Sequence, residues 1–330
     1  MKYKILGRTG VSVSNLCMGT MSFGGPADKN ESAALYRACR EAGVNFFDCA
    51  NVYNNGESEK ILGELIREER DEVIITSKYT FRTSPGVNGI GSSRFNAVRE
   101  VEKSLGRLKT DRIDLYFVHS FDPSTAIEET IRALDDLVRA GKILYLGVSN
   151  WAAWQIMKAL GVAERYGWSR ISCIQPMYNL VKRQAEVEIF PMALSENLGV
   201  ITFSPLAGGL LARRHGLDGV PQTGRFAEMP RYQDRYKGKE IHQAAEAFIT
   251  LAESRGIKPA TLGVAWIMSH PAVTAPIIGA RNLDQLKDSL AAAEFSPDPE
   301  ILAMAGRLFA SPPPATDRSE ETLEGLSLRG

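Results

Sequence analysis

Val44-Asn45-Phe46-Phe47-Asp48, Val73-Ile74-Ile75-Thr76-Ser77-Lys78 and Ile113-Asp114-Leu115-Tyr116-Phe117-Val118-His119 are three short apolar runs, each closing on a polar side chain. Their length and their β-branched and aromatic content read as buried strands. Between them lie stretches of helical period, at about Ser58 to Glu69 and Ser93 to Leu108. Strand, helix and strand in alternation read as parallel β/α units. In such an architecture the carboxyl ends of the strands lie on one face. Asp48, Lys78 and His119 would meet there, with Tyr53 five residues beyond Asp48.

The alternation extends both ways. Upstream, Lys4 to Val13 reads as a hairpin turning at Gly7 to Gly10, followed by a strand at Asn15 to Thr20 and a helix at about Asn30 to Ala42. Downstream come a helix at Thr125 to Ala140 with Gly141 at its C′ position, a strand at Ile143 to Val148 and a helix at about Ala152 to Tyr166. Strand Ile171 to Gln175, helix Gln184 to Asn197, strand Val200 to Phe203, strand Thr274 to Ile278 and helix Leu283 to Ala292 complete eight units. Eight units favour a closed (β/α)8 TIM barrel over an open doubly wound sheet. The first strand is followed by Gly19-Thr20-Met21-Ser22-Phe23-Gly24-Gly25, which is not the GxGxxG fingerprint of an open dinucleotide-binding sheet. The long stretch before the last strand holds an Arg- and Gly-rich loop, Ala207 to Lys239, a candidate lid. Helices near Glu240 to Arg255 and Pro259 to His270 follow it. No composition break divides the chain, so residues 1–310 read as one barrel domain. Residues 311–330, opening on Pro312-Pro313-Pro314, read as a loosely ordered tail.

The 330 residues carry 39 basic and 39 acidic side chains, so nothing favours nucleic acid or an anionic membrane surface. No apolar run approaches the ~18 residues of a membrane helix, and the N-terminus lacks the apolar core of a signal peptide. Cys17, Cys39, Cys49 and Cys173 have no metal-binding or redox spacing and read as buried thiols of a cytoplasmic protein.

Taken singly, each polar strand end has an ordinary explanation: Asp48 as a turn former, Tyr53 as a packed aromatic, Lys78 as a surface lysine, His119 as a satisfied core histidine. Together at one face they form an acid unit. A phenol donates poorly at neutral pH, and a neighbouring ammonium lowers its pKa. A carboxylate keeps that ammonium charged, and an imidazole orients the substrate oxygen. Such a site protonates the oxyanion that develops when something adds to a carbonyl. With no activated Ser or Cys motif and no metal cluster in the sequence, a bound hydride donor is the economical nucleophile.

From Leu6 to about Leu290 the chain resembles the aldo-keto reductases, in particular the subgroup of potassium-channel β subunits and bacterial members. The resemblance rests on Phe47-Asp48-Cys49-Ala50-Asn51-Val52-Tyr53 with Gly56-Glu57-Ser58-Glu59 and Leu62-Gly63, on Ile74 to Lys78, and on Asp114 to His119. It implies Tyr53 as general acid, Lys78 as the group lowering its pKa, Asp48 as the partner of Lys78, and His119 as substrate orienter. It also implies NADP(H). Ser149, Asn150 and Gln175 would hold the nicotinamide carboxamide, Phe203 would stack on its ring, and Gly19, Thr20, Met21 and Asp48 would border it. Ser204, Pro205 and Leu206 continue that segment. Ile278, Gly279, Ala280, Arg281 and Gln285 resemble a 2′-phosphate and adenine segment, with Arg214 and Arg225 as further phosphate candidates. Asn54 stands where Gly is frequent in the family. Phe23, Val52, Tyr53, Tyr79, Phe81, His119, Phe121, Trp151 and Tyr178 would line an aromatic cavity for a small carbonyl or alcohol substrate. Three readings follow: a carbonyl reductase, a slow NADP(H)-binding regulatory subunit, or a cofactor-free lyase or isomerase on the same barrel.

Overall fold

The computed structural model describes residues 1–213 and 228–316. The chain opens with the antiparallel pair β1 (Tyr3–Ile5) and β2 (Ser12–Ser14). Then follow β3 (Cys17–Gly19), α1 (Lys29–Glu41), β4 (Phe46–Asp48), α2 (Glu57–Leu65), β5 (Ile74–Tyr79), α3 (Arg94–Leu108) and β6 (Ile113–Val118). Next are α4 (Ile127–Arg139), β7 (Ile143–Ser149), α5 (Ala153–Tyr166), β8 (Ile171–Gln175), α6 (Ile189–Ser195) and β9 (Gly199–Thr202). After the undescribed segment come α7 (Pro230–Arg235), α8 (Lys239–Ser254), α9 (Pro259–Met268), β10 (Ala275–Ile278), α10 (Leu283–Leu290) and α11 (Pro299–Arg307). Strands β3 to β10 are parallel and close into a barrel, β9 pairing with β10 and β10 with β3. This is the TIM-barrel architecture that the alternation of elements implies.

Strand parity sorts the side chains, because successive residues point to opposite faces of a strand. Cys17, Phe46, Leu115, Phe117, Cys173, Ile201, Ala275 and Ile277 fill the barrel interior. Leu6 and Val13, which flank the hairpin turn, join this inner cluster, so the hairpin closes the end from which the strands start. Gly7 makes that seat possible. Its φ is +53°, and a Cβ there would come within 2.6 Å of the Gly199 nitrogen. Gly147 is needed for a second close approach, since a Cβ would stand 2.4 Å from the Phe117 ring. The alternate residues, among them Phe47, Ile75, Tyr116 and Val118, pack outward beneath the helices in the larger cluster.

Four elements depart from the sequence reading. The helix from Ser58 toward Glu69 stops at Leu65, and the chain continues as a 3-10 segment, Arg67–Glu72, in which Glu69 has non-helical φ −134°. The single helix expected over Gln184 to Asn197 is a 3-10 turn, Gln184–Glu186, and the short α6, in whose first turn Pro191 is tolerated because no intrahelical N–H is required there. The helix α11 was not foreseen, although Asp298 caps it by accepting from the Glu300 N–H and Pro299 occupies its first turn. The expected loop Ala207 to Lys239 holds a 3-10 turn, Ala207–Gly209, and the helix α7 with Pro230 in its first turn; its residues 214–227, like most of the proposed tail in 317–330, lie outside the described residues.

Candidate active site

The inner row of side chains continues past the apolar core to the open end of the barrel. Two residues beyond Phe46 is Asp48, beyond Phe117 is His119, beyond Cys173 is Gln175, beyond Ile201 is Phe203; Lys78 stands two beyond Thr76. The fold therefore places a polar layer on an apolar plug. Lys78 is fully buried, and its Nζ donates to Asp48 Oδ2 at 2.7 Å, to the Cys49 carbonyl at 2.7 Å and to the Tyr53 hydroxyl oxygen at 3.2 Å. All three ammonium hydrogens thus have acceptors. Asp48 Oδ1 accepts from the Thr76 hydroxyl at 2.8 Å and, across the barrel, from Gln175 Nε2 at 2.8 Å.

Tyr53 reaches this corner from a turn of unusual backbone. Asn54 and Asn55 have φ of 47° and 56°, a region Asn enters more readily than most residues. Asn54 does more than tolerate the turn: its Nδ2 donates to the carbonyls of Met21 and Phe23 at 3.0 and 2.7 Å. A Gly at this position would offer only the conformation, whereas Asn here also ties the Tyr53 turn to the loop after β3. Ser58 and Glu59 extend the bracing. Ser58 Oγ donates to the Thr20 carbonyl, and the buried Glu59 accepts from Ser77 and Arg107 at 2.5 and 2.6 Å.

The electrostatics differ from the sequence expectation at one point. Burial raises the Tyr53 phenol to about 12, and the nearby Lys78 charge offsets only part of that rise. The reason is visible in the geometry, because Asp48 already neutralises the ammonium. Burial opposes the Lys78 charge, but Asp48 and Tyr53 hold its pKa above the ordinary value. His119 is pushed well below the usual imidazole range by burial, reinforced by the Lys78 and Arg231 charges, so its ring is neutral at pH 7. Its Nδ1 is buried and has no hydrogen-bond partner among the described residues. The Tyr53 and His119 rings meet edge to face at 6.1 Å, and Phe81 lies 4.5 Å from the imidazole. Burial also pushes the Cys49 thiol up to about 12, so this neighbour of Asp48 is a packed thiol and no thiolate.

The sequence of the Aldo/keto reductase family matches this chain over residues 15–305. The chain belongs to the aldo/keto reductase family. An uncharacterized oxidoreductase of Bacillus subtilis, YrpG, is 37% identical, with 94% of this chain and 97% of that protein covered. A probable voltage-gated potassium channel subunit beta of Arabidopsis thaliana is 35% identical over 95% of this chain and 98% of its own length. The versiconal hemiacetal acetate reductase of Aspergillus parasiticus is 31% identical over 91% and 94%.

Aldo/keto reductases generally bind NAD(P)H, and the mouth of this barrel suits a nicotinamide. Ser149, Asn150 and Gln175 stand together. Asn150, at φ 58°, donates from Nδ2 to the His119 carbonyl at 2.9 Å and to Ser149 Oγ at 3.1 Å, while Ser149 donates to the Gln175 carbonyl at 2.8 Å. Among the described residues nothing donates to the Asn150 amide oxygen, which leaves an acceptor for a carboxamide. Phe203 is half-buried on the inner cluster and offers a ring face at the mouth. Thr20 is committed elsewhere: its N–H and hydroxyl both bond the Asp48 carbonyl. Ser22 joins its loop to the last strand's end by donating to the Ala280 carbonyl at 2.6 Å. Arg281, just before α10, is held by the Glu228 carboxylate, and Gln285 accepts from the Arg281 N–H at 3.1 Å. Ile278 and Ala280 are buried. Arg214 and Arg225 lie outside the described residues.

The expected aromatic cavity is assembled in part. Phe81, Phe121 and Trp151 join Tyr53 and His119 at the mouth, with Phe121 edge-on to Trp151 at 5.0 Å and Val52 half-buried beside Tyr53. Three others do not line it. Tyr79 is fully buried on the outer face, stacked on Tyr116 at 5.3 Å, because it directly follows inward-facing Lys78. Tyr178 packs on Phe190 and Trp266 under the helices and donates to Glu186. Phe23 is likewise buried in the outer cluster. Sequence reasoning missed Thr76 and the Asn54 brace. Parity with Lys78 marks the first, and the need for a left-handed turn marks the second.

Proposed function

We propose that this protein reduces an aldehyde or ketone to the corresponding alcohol with NADPH as hydride donor. The observation that carries this reading is the buried relay Asp48–Lys78–Tyr53, with Nζ 2.7 Å from one oxygen and 3.2 Å from the other. The bound nicotinamide would supply the hydride to the carbonyl carbon. Tyr53 supplies the proton. Because Lys78 donates to the phenolic oxygen, the Tyr53 hydrogen is available for the substrate. A phenol held at about 12 remains protonated at neutral pH, and the alkoxide formed by hydride addition is a stronger base than the phenolate left behind. The Lys78 ammonium stabilises that phenolate until solvent returns the proton. His119, neutral, hydrogen-bonds the same substrate oxygen and fixes its orientation. Ser149, Asn150 and Gln175 would hold the carboxamide and Phe203 the ring. Arg281 would take the 2′-phosphate at the start of α10, where the guanidinium and the positive end of the helix dipole both favour an anion. Four buried free thiols are consistent with a reducing, cytoplasmic setting.

NADPH consumption by the purified protein, followed optically against aldehydes, ketones and sugar carbonyls, tests the proposal. Turnover that depends on a carbonyl and on the Tyr53 hydroxyl supports it. Tight NADPH binding without turnover, together with a stoichiometric protein partner on purification, would favour a regulatory subunit. The similarity to potassium-channel β subunits motivates that second reading.

A further inference from the structure

A cleft of about 380 Å³ opens beside the mouth, between the chain leaving β7 and the chain leaving β8. Trp151, Pro176 and Met177 give it an apolar wall, Lys182 and Arg235 stand on it, and Asn150 is its boundary with the reaction site. Asn150 serves both sides, since its amide donates to the His119 carbonyl. Neither Lys182 nor Arg235 has a carboxylate within ion-pair distance among the described residues. The Arg235 guanidinium rests over the Tyr232 ring at 5.3 Å.

The two cations are mounted on one frame. Asn179 is fully buried, and its Oδ1 accepts from the Lys182 N–H at 2.9 Å. Its Nδ2 donates to the Ser204 carbonyl at 2.9 Å and to the Tyr236 hydroxyl at 3.2 Å. Tyr236 adjoins Arg235, and its hydroxyl also bonds Ser204 Oγ at 3.2 Å. Two half-buried like charges on a braced cleft repel one another and attract an anion.

We infer that this cleft is a subsite for an anionic group, and that the preferred substrates are carbonyl compounds carrying a carboxylate on an apolar body. The inference rests on the carbonyl-reductase reading of the neighbouring site. The carbonyl sits at Tyr53 and His119, the apolar body lies along Trp151 and Met177, and the carboxylate meets Lys182 and Arg235. The 2′-phosphate candidate Arg281 follows β10, two strands round the barrel from β8, and does not line this cleft.

The test compares (4-formylphenyl)alkanoates of increasing chain length with their methyl esters, in wild type, Lys182→Gln, Arg235→Gln and the double variant. Wild type is expected to favour the acid over its ester by about tenfold or more in kcat/KM at the best chain length, the scale of a charge-assisted contact. That ratio falls toward one in the double variant. Equal values for acid and ester at every length in wild type, or an acid preference surviving in the double variant, would overturn the inference. A readout independent of turnover is calorimetric titration with 4-phenylbutyrate, which has no carbonyl to reduce. Loss of its binding in the double variant, with an unchanged melting temperature, supports the subsite even if no aldehyde is consumed. Absence of binding to wild type, or undiminished binding to the double variant, removes the subsite. Failure of every aldehyde, esters included, removes instead the reductase reading.

Discussion

The Lys78 corner and the Arg281 rim of this barrel use the same chemistry, a cation against a carboxylate, in different settings. At the corner Lys78 and Asp48 are both buried, each with every partner supplied by the protein. At the rim Arg281 is partly exposed and its partner Glu228 is half-exposed. The first pair is fixed before any ligand arrives. Under the proposed function the second would exchange one anion for another, because a 2′-phosphate would have to displace the Glu228 carboxylate that occupies the guanidinium. Preorganisation is spent where charge develops during reaction, and exchangeable contacts where a ligand has to come and go.

The comparison is tested most severely at Tyr53. Tyr53→Phe is expected to lower kcat by at least ~10²-fold while NADPH affinity stays within about twofold, read by steady-state kinetics and fluorescence titration. A variant with wild-type turnover would end the assignment of Tyr53 as acid. Lys78→Met leaves Asp48 buried without its cation and is expected to cost about 3–5 kcal/mol in urea unfolding, along with turnover. The corresponding break at the rim, Arg281→Gln, should leave stability within error and weaken NADPH, but not NADH, by about tenfold. Glu228→Gln should act in the opposite sense, tightening NADPH a few-fold by removing the resident competitor. If both rim variants bind NADPH as wild type does, the ion pair has no part in cofactor selection.

A smaller effect is expected in pH profiles. His119 is held neutral well below its usual range, so reductive kcat/KM should show no inflection near ~6.5. With Tyr53 at about 12, alcohol oxidation should accelerate as pH rises toward the phenol's deprotonation, since that direction requires the phenolate. The same shift in His119 has a sign in stability. An imidazole whose folded pKa is depressed stabilises fully above the unfolded value and loses that contribution as pH falls below it.

Strand parity explains how much of this was legible in the sequence. Apolar runs ending in Asp48, Lys78 and His119 announce both the barrel and the residues its mouth brings together, since a strand's register is a local property. Parity also shows why Tyr79 could not join them, one residue from Lys78 and therefore on the other face. Tyr178 and Phe23 were not excluded by any local rule. They lie in loops, where direction is decided by what the helices leave open. The cross-barrel bond from Gln175 to Asp48 joins residues 127 apart in sequence, and nothing local encodes it. From the sequence alone, a lysine beside Tyr53 implies a lowered phenol. The balance is decided by burial and by a carboxylate already in contact, quantities that only packing sets.

The hairpin of β1 and β2 carries a consequence for traffic. With Leu6 and Val13 seated in the inner cluster, the vessel has a stopper in its foot. Among the described residues this leaves the rim bordered by Phe81, Phe121 and Trp151 as the doorway, which under the proposed function water, substrate and product would share. What narrows or widens that doorway would govern access to the Asp48, Lys78 and Tyr53 side chains behind it.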